Sequence, residues 1–555
     1  MNKKSTIIPA LILLFFSVFP AKAQLIEQTI ELQTEDTHQT ITGFGAALAY
    51  YENWLIAHPN KAQIYDVIFK ELSLDILRFR NAYGYDSGMI GRAKTFVTAA
   101  EKSLGHPIDV LVSSWGPPAS FKSNNDRKNG GTLRYTVNNG KVEFDYVSFA
   151  EWWNESLDDY NKNGIFPKYI SIQNEPDFKA SWESCLFRPS ERITSSDTIA
   201  GYNKALNAVY DSVIQRENPP LFVGPECVGI GYNAVENYVN VLDRKKIHAI
   251  SHHLYHGAES GTVKDDPFTS SNYAKVGKYH PDIPHFQTEY SRAEWFVLAG
   301  MIFQSLEQEN VSAYLYWDLI WSEGGLVNLH FPWDRSKWEN SVGYNRTKDF
   351  YVFKHYSAFI HPGWQRISTS LNSGNIRSTA FISSTSDSAS MVLINRSATD
   401  TLKIKVQVPG FEILNATAYS TTEDTDFITT DYLTDTMFVV PPKSINTLDL
   451  RLTSINTSNN EISANDFGND IELNNFPNPF TQHTQIAFTV KNPGHFSFEV
   501  YDINGKKLSE KDLGYFSNGK HMFTFKRNEL KSGFYIYRLS SSAGKSATGK
   551  MLIKE

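Results

Sequence analysis

Short apolar runs alternate with longer amphipathic stretches between residues 40 and 320. The runs predict strands at 41–44, 76–79, 109–113, 169–173, 221–223, 249–253, 285–288 and 313–317. Between them, apolar residues recur every three or four positions, as in Ile64, Val67, Ile68 and Leu72, which predicts helices. This alternation predicts a (β/α)8 TIM barrel of the α/β class over residues 39–365. An open doubly wound sheet is the alternative, disfavoured because no glycine-rich phosphate turn follows the first strand.

The pattern changes after residue 365. Short alternating strands between Ser, Thr, Asp and Gly turns predict a flanking β-sandwich over 366–452, and the strand-like run in 24–38 is a candidate first strand of it. Residues 453–470 are polar and nearly free of large apolar side chains, which predicts a linker. Alternating strands return in 471–555, so a third, small β-rich unit is expected there.

The first 23 residues have the pattern of a signal peptide. Lys3 and Lys4 precede an apolar stretch over 7–19, and Ala21-Lys22-Ala23 provides small residues for cleavage. The stretch is short for a membrane span, and no later segment resembles one. We therefore expect a secreted or cell-surface protein.

The composition of the chain disfavours some classes of binding partner. The 555 residues are 41% hydrophobic and 20% charged with a net charge of -7, which is typical of a soluble globular protein and gives no basic field for nucleic acid or a membrane surface. Aromatic residues make up 14% of the chain, which suits either a large core or platforms for stacking sugars.

The chain has two cysteines, Cys185 and Cys227. This excludes a disulfide scaffold and a cysteine-based zinc site. Both follow adjacent predicted barrel strands, so they are candidates for one disulfide in an oxidising compartment, with two buried thiols as the alternative.

Two glutamates end predicted barrel strands. The strand that ends at Gln173 leads into Asn174-Glu175-Pro176, where proline forces a turn, and another strand ends directly at Glu289. Barrel active sites lie at the carboxyl ends of the strands, and glycosidic cleavage requires two carboxyl groups flanking one bond. Glu175 and Glu289 are therefore the candidate catalytic pair, with ordinary surface acids as the alternative.

Tryptophan and histidine residues give weaker predictions about the site. Trp115 and Trp317 end the third and eighth predicted strands and are candidate walls of a sugar site, although core packing is nearly as common for such residues. His252, His253 and His256 come from one loop region without a matching carboxylate cluster elsewhere, so no metal is predicted. Nothing in the sequence predicts an organic cofactor.

Several motifs follow the predicted strands in a fixed order: Gly43-Phe44-Gly45-Ala46, Leu77-Arg78-Phe79-Arg80, Ser114-Trp115-Gly116-Pro117-Pro118, Asn129-Gly130-Gly131-Thr132-Leu133, Gln173-Asn174-Glu175-Pro176, Thr288-Glu289-Tyr290 and Phe359-Ile360-His361-Pro362-Gly363. Over residues 39–367 the chain thereby resembles glycoside hydrolase family 30, a family of retaining barrel enzymes with an attached β-sandwich.

The resemblance implies roles for five residues. Glu175 matches the acid/base and Glu289 the nucleophile. Asn174 matches the residue that hydrogen-bonds the sugar 2-hydroxyl, Arg78 the arginine that supports the nucleophile, and Tyr255 a tyrosine whose hydroxyl holds it. A turn residue, a structural ion pair and core packing are the respective alternatives for the last three.

The C-terminal unit has motifs of its own, Asn475-Phe476-Pro477-Asn478-Pro479-Phe480, Val500-Tyr501-Asp502-Ile503-Asn504-Gly505 and Ser532-Gly533-Phe534-Tyr535. They resemble the C-terminal sorting domain of the type IX secretion system, which is a small β-sandwich. The resemblance implies that the type IX secretion machinery is a partner of this protein. A carbohydrate-binding module is the alternative, disfavoured because residues 471–555 contain no tryptophan.

The sequence therefore predicts a secreted retaining endo-hydrolase with a polysaccharide substrate. β-1,4-Xylan is favoured, because Trp182-Glu183-Ser184-Cys185-Leu186-Phe187 resembles the xylanase branch of the family. Arg80 and Arg292 are candidates by position for holding a glucuronic acid branch. A β-1,6-glucanase, a glucosylceramidase-like hydrolase and a non-catalytic sugar-binding protein remain alternatives.

Overall fold

The computed structural model describes residues 24–256, 267–268, 271–291, 293–332, 334–337, 343–431, 437–455, 471–502, 506–528, 530–542 and 546–554. The predicted signal peptide and most of the predicted linker lie outside these residues. The chain divides into two compact units, Met1–Thr457 and Ser458–Glu555. No helix of the described residues is long and apolar enough to cross a membrane.

A closed barrel of eight parallel strands forms the centre of the first unit, which confirms the predicted fold class. Barrel strands 1 to 8 are Gly43–Ala47, Ile76–Arg80, Asp109–Ser113, Tyr169–Ser171, Leu221–Cys227, Ala249–His253, His285–Glu289 and Val311–Tyr316. One residue or more from most of these strands fills the inside of the barrel with a buried layer, which includes Leu111, Tyr169 and Phe286. The inside of the barrel is thus a packed core, and an active site is expected at the carboxyl ends of its strands.

Helices connect and surround these strands. They are Glu52–Ala57, Lys61–Tyr65, Met89–Leu104, Tyr146–Lys162, Tyr202–Val213, Ala234–Val239, Ser271–Gly277, Trp295–Glu307 and Lys348–Ser357, with a π-helical segment at Asp66–Glu71 and short 3-10 turns at Ala119–Phe121, Arg244–Lys246 and Arg335–Lys337. The helix Tyr202–Val213 buries Leu206, Val209 and Val213, the apolar face that its periodicity predicts. Asp145 starts the helix Tyr146–Lys162, because its carboxylate accepts a hydrogen bond from the Ser148 amide at 3.1 Å.

A curled, sandwich-like sheet of nine strands flanks the barrel, as predicted. It is formed by Leu25–Thr40, Gln365–Thr369, Ile376–Ile382, Ser388–Asn395, Thr401–Gln407, Phe411–Thr421, Ile428–Asp431, Met437–Val440 and Ser444–Ser454. The first strand pairs in parallel with Thr401–Gln407 and antiparallel with Gln365–Thr369, so the N-terminal run joins the later sheet. Arg366 ties this sheet to the barrel, because its guanidinium contacts Glu307 at 3.1 Å and Asn310 at 2.9 Å.

Short strands decorate the loops of the first unit, at Tyr135–Asn138, Lys141–Phe144, Arg192–Ile193, Thr198–Ile199, Ile320–Trp321, Val327–Leu329 and Tyr344–Arg346. The second unit is β-rich, as predicted. Its three-stranded sheet contains Ile471–Phe476, His483–Val490 and Gly519–Lys526, and its four-stranded sheet contains Gly494–Tyr501, Lys507–Phe516, Gly533–Ser541 and Ser546–Ile553. Both sheets contribute to one core, which includes Phe488, Phe498 and Tyr537.

Candidate active site

Glu175 and Glu289 meet at the carboxyl end of the barrel. Glu289 is the last residue of barrel strand 7, and Glu175 lies four residues beyond the end of barrel strand 4. A carboxylate oxygen of each lies within 4.8 Å of the other, and each residue is only 6% exposed. Glu175 has a φ of 45°, a left-handed conformation that costs a non-glycine residue about 1–3 kcal/mol and is concentrated at functional sites.

Arg78 of barrel strand 2 connects the two sides of this site. Its Nη1 donates to Glu289 Oε2 at 2.6 Å and its Nη2 donates to Asn174 Oδ1 at 2.6 Å. The side chain is fully buried, and its guanidinium lies 4.6 Å from the ring centroid of Trp115. Arg78 therefore fixes the orientation of Glu289 and of the amide beside Glu175.

Barrel strand 6 and the residues after it supply two more contacts. The Tyr255 hydroxyl donates to Glu289 Oε1 at 3.1 Å, so each oxygen of Glu289 has a donor. The His253 Nδ1 lies 3.0 Å from Glu175 Oε1, and its Nε2 lies 3.9 Å from Glu289 Oε2. Burial lowers the pKa of His253 to about 4, so its imidazole is neutral at neutral pH.

The environments of the two carboxyl groups differ. Burial raises the pKa of Glu175 to about 8, and the charge of Asp177 adds to the effect. Burial also raises the pKa of Glu289, but the positive charge of the directly bonded Arg78 opposes that rise. One group with a pKa near 8 beside one bonded to a cation suits a proton donor paired with an ionised carboxylate.

A cavity of about 570 Å³ opens over the two glutamates. Its lining is mostly aromatic and consists of Tyr50, Trp115, Glu175, Phe178, Trp182, Val228, Tyr255, His256, Glu289, Tyr290, Ser291, Trp317 and Trp321. The rings of Trp115 and Trp317 lie 5.6 Å apart on one side, and those of Phe178 and Trp182 lie 6.2 Å apart. Flat apolar walls around two carboxyl groups are suited to a sugar ring.

Glu175, His253 and Glu289 have ligand atoms close enough together to hold a metal ion. Arg78 donates to Glu289 within the same cluster and places a buried positive charge beside it. That charge disfavours a divalent cation, and the fixed donors suit a proton-transfer site better.

The structure thus brings together Glu175, Glu289, Asn174, Arg78, Tyr255, Trp115 and Trp317 in one site. Cys185 and Cys227 are both free and fully buried in the structure, which is the alternative to a disulfide that the sequence left open. Burial raises the pKa of Cys185 to about 12 and that of Cys227 well above its ordinary value, which disfavours the thiolate needed for oxidation.

The sequence named Arg80 and Arg292 as candidate cations for an acidic branch. Arg80 does not line the cavity; it contacts Glu183 at 3.1 Å and Asp86 at 3.7 Å, and its guanidinium stacks on Tyr50. Arg292 lies outside the described residues.

Sequence reasoning missed two residues of the site. Glu226, at the end of barrel strand 5, is fully buried and contacts Arg78, and His253 contacts Glu175. The signal for Glu226 was a carboxylate near the end of a barrel strand, the same signal that identified Glu289. For His253 it was the alternation of side chains along a strand, which turns one of two consecutive histidines toward the barrel interior.

Comparison with known proteins agrees with this architecture. Residues 474–554 match the family of the secretion system C-terminal sorting domain. The glucuronoxylanase XynC of Bacillus subtilis is 24% identical over 293 residues, which cover 50% of this chain and 57% of the relative. The chain therefore spans little more than half the length of the curated relatives it matches.

Solved structures share the fold over a larger part of the chain. The catalytic domain of GH30 xylanase C from Talaromyces cellulolyticus has a TM-score of 0.61 at 20% identity and covers 76% of this chain and 100% of its own. The endo-β-1,6-glucanase BT3312 has a TM-score of 0.56 at 15% identity and covers 76% of this chain and 94% of its own. The chain thus combines a fold shared with family 30 glycoside hydrolases, a distant sequence similarity to glucuronoxylanases, and a secretion system C-terminal sorting domain over residues 474–554.

Proposed function

We propose that this protein is an exported retaining endo-glycoside hydrolase that cleaves β-1,4-xylan by double displacement. Glu175 is the acid/base and Glu289 the nucleophile. The observation that carries the proposal is the separation of the two carboxyl groups, whose nearest oxygens lie within 4.8 Å. Retaining enzymes place their carboxyl groups roughly 5–5.5 Å apart, whereas inverting enzymes need about 6.5–9.5 Å to admit water.

In the first step a Glu289 oxygen bonds to the anomeric carbon while the bond to the leaving oxygen breaks. Glu175 gives its proton to that oxygen, which requires the protonated form that a pKa of about 8 maintains at neutral pH. In the second step Glu175 takes a proton from water, the water oxygen bonds to the anomeric carbon, and Glu289 leaves as a carboxylate. Arg78 and Tyr255 hold Glu289 in one orientation through both steps.

The substrate proposal rests on the cavity and on the relatives. The curated relatives are named glucuronoxylanases, and one solved structure of the same fold is a GH30 xylanase. Xylose lacks the 6-hydroxymethyl group, so rings such as Trp115 and Trp317 can close over it without a polar pocket for that group. An endo-β-1,6-glucanase shares the fold, which makes β-1,6-glucan the substrate to compare.

The match to a secretion sorting domain supports export through the type IX machinery, after an N-terminal signal peptide has directed the chain out of the cytoplasm. We propose that residues 453–470 form a linker and that 471–555 act as a separable sorting unit, while residues 39–365 carry the chemistry.

The test is hydrolysis of purified polysaccharides by the full chain. We expect faster release of reducing sugar from glucuronoxylan than from β-1,6-glucan under the same conditions, and a first product of retained configuration in proton NMR. Glu289→Gln should abolish turnover without abolishing substrate binding. A first product of inverted configuration would refute the retaining mechanism, and faster hydrolysis of the glucan would refute the substrate.

A further inference from the structure

Glu226 is a third carboxylate in the site, and the mechanism above does not use it. It is fully buried at the end of barrel strand 5. Its two oxygens lie 3.2 and 3.3 Å from Arg78 Nη2, while Nη1 of the same guanidinium donates to Glu289. Arg78 therefore divides one positive charge between two carboxylates.

The backbone of Glu226 also contacts the acid/base. Its carbonyl oxygen accepts a hydrogen bond from the Glu175 amide at 3.0 Å. Glu226 has a φ of 55°, so it shares with Glu175 the left-handed conformation that non-glycine residues rarely adopt. Such conformations persist where the surrounding structure fixes them, and they are concentrated at functional sites.

Burial alone would raise the pKa of Glu226, but the Arg78 charge and hydrogen bonds from Ser171 and Thr288 together bring this pKa below its ordinary value. Glu226 is thus ionised in the resting site. Glu175 is protonated and His253 is neutral at neutral pH, so the carboxylates that share the charge of Arg78 are Glu226 and Glu289.

Glycosylation changes this balance. When Glu289 becomes an ester it loses its negative charge, and Glu175 becomes a carboxylate because it has given up its proton. Arg78 stays protonated beside Glu226. A buried guanidinium without a counter-ion is strongly unfavourable. Glu226 is the carboxylate already in contact with that guanidinium.

We propose that Glu226 is a positioning residue that acts as the permanent counter-ion of Arg78 and keeps this guanidinium compensated while Glu289 is esterified. The proposal rests on Glu289 being the nucleophile of a retaining reaction. By sharing Arg78, Glu226 also limits how strongly that cation holds Glu289, so the Glu289 carboxylate stays nucleophilic. Finally, it adds a negative charge to the site, which favours the cationic sugar of the transition state.

The test is Glu226→Gln, which keeps the shape of the side chain and removes its charge. Arg78 would then act on Glu289 alone, so glycosylation should slow about 10- to 100-fold. Deglycosylation should change less than about threefold, because a stronger hold on the departing Glu289 carboxylate offsets the lost compensation of Arg78. The acidic limb of the kcat/KM profile should move to lower pH by about one unit, because Glu289 loses a neighbouring like charge.

The groups that bear on that pH limb from the surrounding strands are Arg78, Glu175, His253 and Tyr255, which face Glu289, and Glu226, which shares Arg78 with it. Of these, the substitution alters Glu226 alone, and its unequal effects on the two steps distinguish a charge role from a loss of structure.

Pre-steady-state hydrolysis of 2,4-dinitrophenyl β-xylobioside separates the two steps. The wild type is first treated with the corresponding 2-fluoro inhibitor, and mass spectrometry of the labelled peptide must identify Glu289. Failure of this labelling would overturn the proposed function itself. If labelling succeeds but Glu226→Gln slows both steps equally, or leaves the acidic limb in place, the counter-ion proposal is wrong.

Glu307→Gln is the matched control. Glu307 forms a largely buried ion pair with Arg366 at 3.1 Å, similar to the 3.2 Å of Glu226 and Arg78, but it lies on the helix Trp295–Glu307 outside the cavity. Glu307→Gln should leave the glycosylation rate, the deglycosylation rate and the acidic limb as they are in the wild type. If Glu226→Gln does not fold, Glu226→Asp serves instead: its withdrawn carboxylate should lower the limb by a smaller amount, and a limb that stays or rises would overturn the proposal.

Discussion

The Tyr255 hydroxyl contacts the proposed nucleophile directly. Tyr255→Phe removes its hydrogen bond to Glu289 Oε1 at 3.1 Å, together with its hydrogen bond with Ser291. The phenyl ring should stay in place, because it packs against Tyr290 and His253 at centroid distances of 5.2 and 6.0 Å. Arg78 continues to hold the other oxygen of Glu289.

The size of the effect follows from the charge on the acceptor. A hydrogen bond to a charged group contributes about 1.5–3 kcal/mol. At 1.36 kcal/mol per pKa unit, its loss from the carboxylate should raise the pKa of Glu289 by about 1–2 units. Burial already raises this pKa, so the substitution adds to an existing shift.

The mechanism determines the direction in which the acidic limb of kcat/KM should move. Glu289 must be ionised to attack, so kcat/KM falls as the pH drops through its pKa. A higher pKa moves the acidic limb to higher pH, opposite to the movement expected for Glu226→Gln. The limb is measured from kcat/KM on an activated aryl β-xyloside between about pH 3 and 8, a range chosen to span ordinary and raised carboxyl pKa values.

Tyr50→Phe is the matched control for this experiment. Its hydroxyl also donates to a glutamate at 3.1 Å and its ring also lines the cavity, but the acceptor is Glu183. Whatever its effect on the rate, the acidic limb should stay in place. A limb that moves equally in both variants, or does not move in Tyr255→Phe, would contradict the assignment of Glu289 as the ionised group.

Three further outcomes are expected. Asp177→Asn keeps an oxygen for the Val228 amide but removes the charge that raises the pKa of Glu175, so the basic limb of kcat/KM should move from near pH 8 to lower pH by roughly one unit; an unmoved limb would exclude this coupling. Thiol titration should detect no reactive sulfhydryl in the native protein and two, Cys185 and Cys227, after unfolding without reductant; finding none after unfolding would restore the disulfide. Deletion of 471–555 should leave hydrolysis of soluble xylan unchanged while preventing export, and a loss of catalytic rate would show that the two units depend on each other.

Much of the barrel could be predicted because its signal is periodic. The predicted strand at 249–253 coincides with the observed strand Ala249–His253, and that at 76–79 ends one residue short. The strand expected at 221–223 continues to Cys227 in the structure. The prediction ended too early because Gly224 and Pro225 are residues typical of a turn. Glu226 was missed for that reason: it belongs to a strand whose sequence signal ends too early.

Contacts between distant loops could not be predicted in the same way. Tyr50 and Trp182 line the cavity from segments without regular periodicity, and only the folded barrel brings them together. For the two cysteines, the sequence suggested a candidate bond that the structure does not contain. Their positions after neighbouring strands suggested proximity, but sequence spacing contains no information about which direction each thiol faces or how deeply it is buried.

The position of the strand Leu25–Thr40 has a consequence for the order of folding. Its partners, Gln365–Thr369 and Thr401–Gln407, are made more than 300 residues later, and they lie on its two sides. The strand therefore has no place to pair until the whole barrel has been synthesised, and closing so long a loop is slow. We expect the flanking sheet to be among the last parts of the first unit to form. A protease that removes Leu25–Thr40 should destabilise the other eight strands of this sheet, all of which lie downstream in the chain.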